Sequence, residues 1–153
     1  MLKRTIRYED FNGNQTEDIF YFNLSKPELI ELEVEYEQGF GDMLQSIIKA
    51  KDNKEIVKQF KAIILLAYGE KSEDGKRFIK SDQLREEFSQ TAAFQELFME
   101  MASDADAAVV FLQAILPKDM GEGIEKAVDN EKKKALEADT ASTDEKTDTQ
   151  VTS

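Results

Sequence analysis

The chain opens on strand periodicity. Over Lys3–Asp10, Ile6 and Tyr8 alternate with charged neighbours, and over Gln15–Asn23 the residues Phe20 and Phe22, with Leu24 beyond, oppose Ile19, Tyr21 and Asn23. Such alternation sends the two sets of side chains to opposite faces of a strand. Between the runs stands Asn12-Gly13-Asn14, whose residue types tolerate the positive φ of a tight turn. The pattern predicts a β-hairpin with one face toward a core. A bare hairpin is marginal in water, so helices must cover it.

Beyond the hairpin the period lengthens. Ser25-Lys26-Pro27-Glu28 has the spacing of a capping box with proline in the first turn, which starts a helix over Lys26–Glu37 with Leu29, Leu32 and Tyr36 on one face. A strand pattern competes there, because Ile30, Leu32, Val34 and Tyr36 alternate with Glu31, Glu33, Glu35 and Glu37. The cap, and the better helix propensity of Glu and Leu, favour the helix. After Gly39 and Gly41, Asp42–Lys51 reads as a short helix presenting Met43, Leu44, Ile47 and Ile48. A second cap, Asp52-Asn53-Lys54-Glu55, precedes the strongest helix, Asn53–Tyr68. Ile56, Phe60, Ile63, Ile64 and Ala67 share a face of it, while Leu65, Leu66 and Tyr68 fill the other side, the mark of a helix buried in the middle of a bundle.

Gly69 ends that helix, and Ser72-Glu73-Asp74-Gly75 reads as a turn leading through Phe78 and Ile79 to Ser81. Ser81-Asp82 caps Gln83–Ser89, with Leu84 and Phe88 inward; Thr91 caps Ala92–Met101; Ser103-Asp104 caps Ala105–Leu116, and Pro117 stops it. The expected fold is mainly α: an N-terminal β-hairpin packed on a compact bundle of five or six short helices, with a disordered C-terminal tail.

The boundary falls at Pro117. All 10 Phe and all 4 Tyr precede it, whereas Lys118–Ser153 holds only Met120, Ile124, Val128, Leu136 and Val151 as large apolar residues among Lys, Glu, Asp, Thr and Ser. A segment that poor in apolar surface does not offset its ordering entropy, so residues 118–153 read as an acidic, mostly disordered tail with a transient helix over Gly123–Ala138. No internal repeat is visible. Met1–Tyr8 is charged and lacks the apolar stretch of a secretory signal, and the longest apolar run, Ala62–Tyr68, is far too short to span a bilayer. These features point to a soluble protein of the cytoplasm.

Composition narrows the chemistry. Among 153 residues there are 20 Lys and Arg against 32 Asp and Glu, a net charge of -12, which argues against binding to nucleic acid or to anionic membrane. His, Cys and Trp are absent, which removes imidazole bases, thiolate nucleophiles, disulfides and zinc-type ligand sets. No catalytic, cofactor-binding or metal-binding candidate stands out, and an enzyme is not expected. Asp10, Asn12, Asn14 and Asp18 have a flavour of a calcium loop, but counting from Asp10 an EF-hand would need Gly at the position of Gln15 and Glu at that of Tyr21. A hairpin turn accounts for them better. Asp104 and Asp106 read as a cap with first-turn charge, and the Glu31 to Glu37 series as a solvated helix face ahead of a charged partner face. The apolar stripes of the last two helices carry two readings, ordinary core or a groove for a partner segment. The partner-binding candidates on them are Phe94, Phe98, Met99, Met101, Phe111, Leu112 and Ile115.

The order of these pieces, Lys3–Glu33, Ile47–Met101 and Asp104–Met120, resembles the tail assembly chaperones of long-tailed bacteriophages that infect Gram-positive bacteria. The resemblance implies a small helical non-enzymatic protein, acting in the host cytoplasm during virion morphogenesis and absent from the mature virion. It implies binding to the tape measure protein, recruitment of the major tail protein through a longer frameshifted product, and self-association. Glu131-Lys132-Lys133-Lys134 is a place where A-rich codons would let the two products part. The competing reading of the charge is an acidic inhibitor, a nucleic-acid mimic acting on a host DNA-binding protein.

Overall fold

Asp10 fixes the first turn. Its Oδ1 accepts the backbone N–H groups of Asn12 and Asn14, each at 2.9 Å, and Gly13 takes a positive φ of 82° that a side chain would resist. The strands this turn joins, β1 (Leu2–Glu9) and β2 (Gln15–Phe22), pair antiparallel from Leu2 opposite Phe22 to Glu9 opposite Gln15. This is a computed structural model, and it describes residues 1–35 and 54–120 together with the single positions Asp42, Gln45 and Lys133. The expected helix over Asp42–Lys51, the cap residues Asp52 and Asn53, the position of Tyr36, and the transient helix over Gly123–Ala138 lie outside the described residues.

Ile6, Phe22 and Leu24 are buried on the inner face of the hairpin, while Ile19 remains half exposed on the outer face. The competition over residue 26 onward resolves as helix, α1 (Lys26–Glu35), because the capping box closes: the Ser25 N–H donates to Glu28 Oε2 at 2.7 Å, and the Glu28 N–H to Ser25 Oγ at 3.4 Å. Leu29 and Leu32 go inward.

The next helix, α2 (Lys54–Ala67), buries Phe60, Ile63, Ile64 and Ala67 and leaves Leu65 and Leu66 half-buried against the core. It ends one residue early. Tyr68 begins a strand, β3 (Tyr68–Lys71), and Phe78–Ile79 form a fourth, β4, so the stretch expected as a helix end and a loop is the second half of a four-stranded antiparallel sheet of order β1-β2-β3-β4. The physical reason is tertiary. β3 is too short to show a period of two, and it exists because β2 offers it a backbone edge, with Tyr21 opposite Gly69 and Phe22 opposite Tyr68. The Ser72 to Gly75 turn is the hairpin loop between β3 and β4; Ser72 Oγ donates to Asp74 at 2.6 Å, and Gly75 sits at a positive φ of 72°. Gly69 has a packing reason as well, since the ring of Phe78 lies where its Cβ would be.

Three capped helices follow as expected: α3 (Asp82–Ser89) behind Ser81, α4 (Ala92–Ser103) behind Thr91 and α5 (Ala105–Ile115) behind Asp104. Instead of a bundle around α2, the helices cover the inner face of the sheet, and the strand and helix layers meet at an aromatic cluster. Phe22 is 0% exposed, with the rings of Phe111, Phe88 and Tyr68 at 5.3, 5.8 and 5.9 Å. Two backbone bonds of 2.8 Å, from Asn23 N–H to Ala67 O and from Leu24 N–H to Ile115 O, tie the end of β2 to the ends of α2 and α5. Beyond Pro117, Met120 packs against the core, and Asp119 pairs with Lys26 at 3.3 Å.

Lys80, just after β4, is 11% exposed and donates to Glu28 Oε1 and to the Asn23 carbonyl, both at 2.6 Å. Burial pulls the Lys80 ammonium below its usual range, and Glu28 restores it only in part. For Glu28, burial raises the carboxyl, but the bonds from Lys80 and Ser25 outweigh it and hold the group below its ordinary value. A carboxyl with a depressed folded pKa adds stability that is present above the unfolded value, here 4.5, and is lost as the pH falls through the folded one.

Phe22→Ala should cost about 3–5 kcal/mol in urea titration, because the rings around it cannot close the hole. Gly69→Ala should cost about 1–3 kcal/mol, since the new Cβ would lie 2.6 Å from a Phe78 ring carbon and 2.9 Å from the Ile79 carbonyl oxygen, and backbone does not yield cheaply. Removing one partner of the Lys80–Glu28 pair, as in Lys80→Met, should cost about 1–3 kcal/mol, less than for a fully buried pair because Glu28 still meets water. Glu28→Gln should flatten the fall of stability below about pH 4.5 seen in denaturant titrations of the wild type; an unchanged acid limb would show that Glu28 does not carry it.

Candidate partner-binding surfaces

The seven residues singled out on the last two helices divide by depth. Phe94, Leu97 and Met101 point inward from α4, and Phe111, Leu112 and Ile115 inward from α5; Phe94 and Met101 are 5% and 3% exposed, and the α5 trio at most 1%. These side chains form the core of this fold, so a partner reaches none of them without opening it. Phe98 is half-buried, its ring stacked at 5.9 Å on Phe94, and only Met99 of the seven is well exposed, at 61%. Val110, on the outer side of α5, is comparably open. The i, i+3, i+4, i+7 stripe is a packing stripe, as such stripes usually are, and the accessible apolar atoms lie one residue off it.

Sequence periodicity passed over a better exposed pair. On α1 the buried residues are Leu29 and Leu32, and Ile30 and Val34 stand one turn apart on the side away from them, 67% and 83% exposed. Glu31, Glu33 and Glu35 are also exposed on this helix and flank the pair. The signal was present in the alternation of Ile30, Leu32, Val34 and Tyr36 with glutamates: once the segment is a helix, that alternation must put two of its apolar residues outside. An apolar stripe edged with carboxylates suits an amphipathic helix whose polar face is basic.

Among the described residues the well-exposed aromatic is Phe11, 77% exposed at the tip of the first hairpin. Its turn is held by Asp10, whose carboxyl is kept below the usual range first by the Asn14 N–H and then by that of Asn12. Asp10 is therefore committed to the turn. Asp104 is likewise committed to capping α5, accepting from the N–H groups of Asp106 and Ala107 at 3.0 and 3.2 Å.

Two phenols are displaced upward. The Tyr8 hydroxyl donates to Asp18 at 2.5 Å and is pushed up to about 12, and Tyr68, raised first by burial and then by Glu70, also reaches about 12. Both stay protonated through neutral pH and act as donors. Among the described residues no group of three or more carboxylates is placed to hold a metal ion, and no helix is long and apolar enough to cross a membrane.

Comparison with curated proteins and with solved structures finds no match to this chain. A family model described as phage tail assembly chaperone matches residues 1–153, so the chain, with its capped helices on an antiparallel sheet and its open apolar stripe on α1, belongs to the phage tail assembly chaperone family.

Proposed function

We propose that this protein is a non-enzymatic chaperone that covers exposed helical stripes of the tape measure protein in the host cytoplasm, keeps it soluble while tail tube subunits gather, and leaves before the virion matures. The single observation that carries the reading is the family match over the whole chain. Physical features support it. A tape measure protein is long and helical, and outside its tube it exposes apolar stripes that aggregate unless they are covered. Ile30 and Val34, with glutamates on either side, offer an apolar contact that a helix can lie along, and a net charge of -12 keeps coated partners apart. Met99 and Val110 add accessible apolar atoms on α4 and α5. The host in this reading is a Gram-positive bacterium, and recruitment of the major tail protein falls to a longer frameshifted product that shares this domain.

Co-expression with the tape measure protein of the same phage should raise the soluble fraction of that partner, in a complex that survives high salt because its contact is apolar. The double substitution Ile30→Glu, Val34→Glu should abolish the rescue while changing stability by no more than about 0.5 kcal/mol, as expected for exposed sites. A nucleic-acid mimic would behave differently, capturing a basic protein and losing it steeply as salt rises. If wild type fails to solubilise the tape measure protein at any salt, the chaperone reading of this chain is wrong.

A further inference from the structure

The ladder between β2 and β3 is short, with two residue pairs against eight between β1 and β2. Along the hairpin, even-numbered residues exchange backbone bonds with each other, as the Asp10 N–H to Asn14 O bond of 2.9 Å shows, so the N–H and C=O groups of Gln15, Glu17, Ile19 and Tyr21 point to the opposite edge of β2. The 2.8 Å bond from Asn23 N–H to Ala67 O confirms that direction. Tyr21 is satisfied there by Gly69 and the ladder stops at that pair, while the other edge of β3 meets β4 through Glu70 opposite Ile79 and Lys71 opposite Phe78. Among the described residues no strand pairs with that edge of β2 at Ile19 or Glu17. Beside the end of the ladder lies a groove of about 580 Å³, lined by Ile19, Phe20, Tyr21 and Tyr68 together with Asp18, Glu70, Lys71 and Glu73.

We propose that this groove between β2 and β3 docks an extended segment of a partner protein that alternates apolar residues with Lys or Arg, added as a strand to the edge of β2 at Glu17 and Ile19. Backbone groups on an open edge select an extended chain, since a helix has satisfied its own. The aromatic wall takes the apolar side chains. Three acidic residues and one cation, Lys71, line the groove, and the Lys71 ammonium is already seated 4.5 Å over the Tyr21 ring, so the complementary charge is positive. The same charge rules against two other occupants. A second copy would bring an equally acidic edge, and the last 33 residues of this chain hold nine acidic and five basic residues. The site is separate from the helical stripe on α1.

The test uses the full-length chain and two fluorescent peptides, one alternating Lys with Val and one alternating Glu with Val. Anisotropy should show the Lys-Val peptide binding and the Glu-Val peptide failing to bind. Amide exchange should slow at Ile19 and Glu17 when the Lys-Val peptide is added. Ile19→Pro removes an N–H from the open edge and none from the β1 ladder, so it should weaken binding about tenfold while thermal melting stays cooperative. Should that variant unfold, the pair Glu70→Gln, Glu73→Gln, which leaves the backbone alone, should weaken binding and flatten its salt dependence. The proposal is overturned if the Lys-Val peptide does not bind, if the Glu-Val peptide binds as well, if protection appears elsewhere than on β2, or if Ile19→Pro instead dissolves an oligomer of this chain.

Discussion

Phe22 has no surface left to water, and the rings of Tyr68, Phe88 and Phe111 close around it from β3, α3 and α5. Tyr68 and Phe88 are themselves stacked at 4.0 Å, and Phe94 meets Phe88 edge-on at 5.5 Å, so α4 joins the same cluster. Elements far apart in sequence share one set of contacts. None of them has enough apolar surface of its own to be stable in water: the hairpin lacks a third strand without β3, β3 and β4 are too short to stand alone, and α3 has only Phe88 fully buried. Dispersion and apolar burial at this junction let each element supply the missing face of another.

The polar half of the same junction is the Lys80 ammonium. It binds the carbonyl that ends β2 and the carboxylate that caps α1, so one cation joins the second hairpin to the first and to the helix that follows. Its burial has a desolvation cost, and Glu28 offsets that cost because it is already fixed by Ser25. On β1 the Arg4 guanidinium pairs with Glu100 of α4, a second link between sheet and helix layers.

What these constraints leave outside is informative. With most of the described aromatic residues drawn inward, the well-exposed large apolar residues among the described ones are Met1, Ile30 and Val34 on α1, Met99 and Val110 on the later helices, Phe11 at a turn and Ile19 on the outer face of the sheet. Exposed glutamates flank the pair on α1. In the function proposed above, the surfaces must bind the partner without binding each other, and apolar atoms set among negative charge would meet both demands. The sheet contributes a second kind of surface, the groove beside β2 and β3 with Asp18, Glu70 and Glu73 among its lining residues.

Caps, turns and amphipathic periods are local properties, and the sequence by itself determined them: the Asn12-Gly13-Asn14 turn, the Ser25–Glu28 capping box, the caps at Ser81, Thr91 and Asp104, and the packing faces of α2, α4 and α5 all follow from residues within a few positions of one another. It determined equally that the chain lacks imidazole and thiol chemistry and carries a strong negative charge. Tertiary structure alone decided the second half of the sheet. Tyr68–Lys71 has no strand period to read, and it became a strand because an edge of β2, more than forty residues earlier, offered partners for its backbone. Tertiary structure also decided which apolar residues remain available to a partner. Periodicity distinguishes an apolar face from a polar one, but whether Phe111 or Ile30 meets water depends on what the rest of the chain places over it, and that is settled by long-range packing.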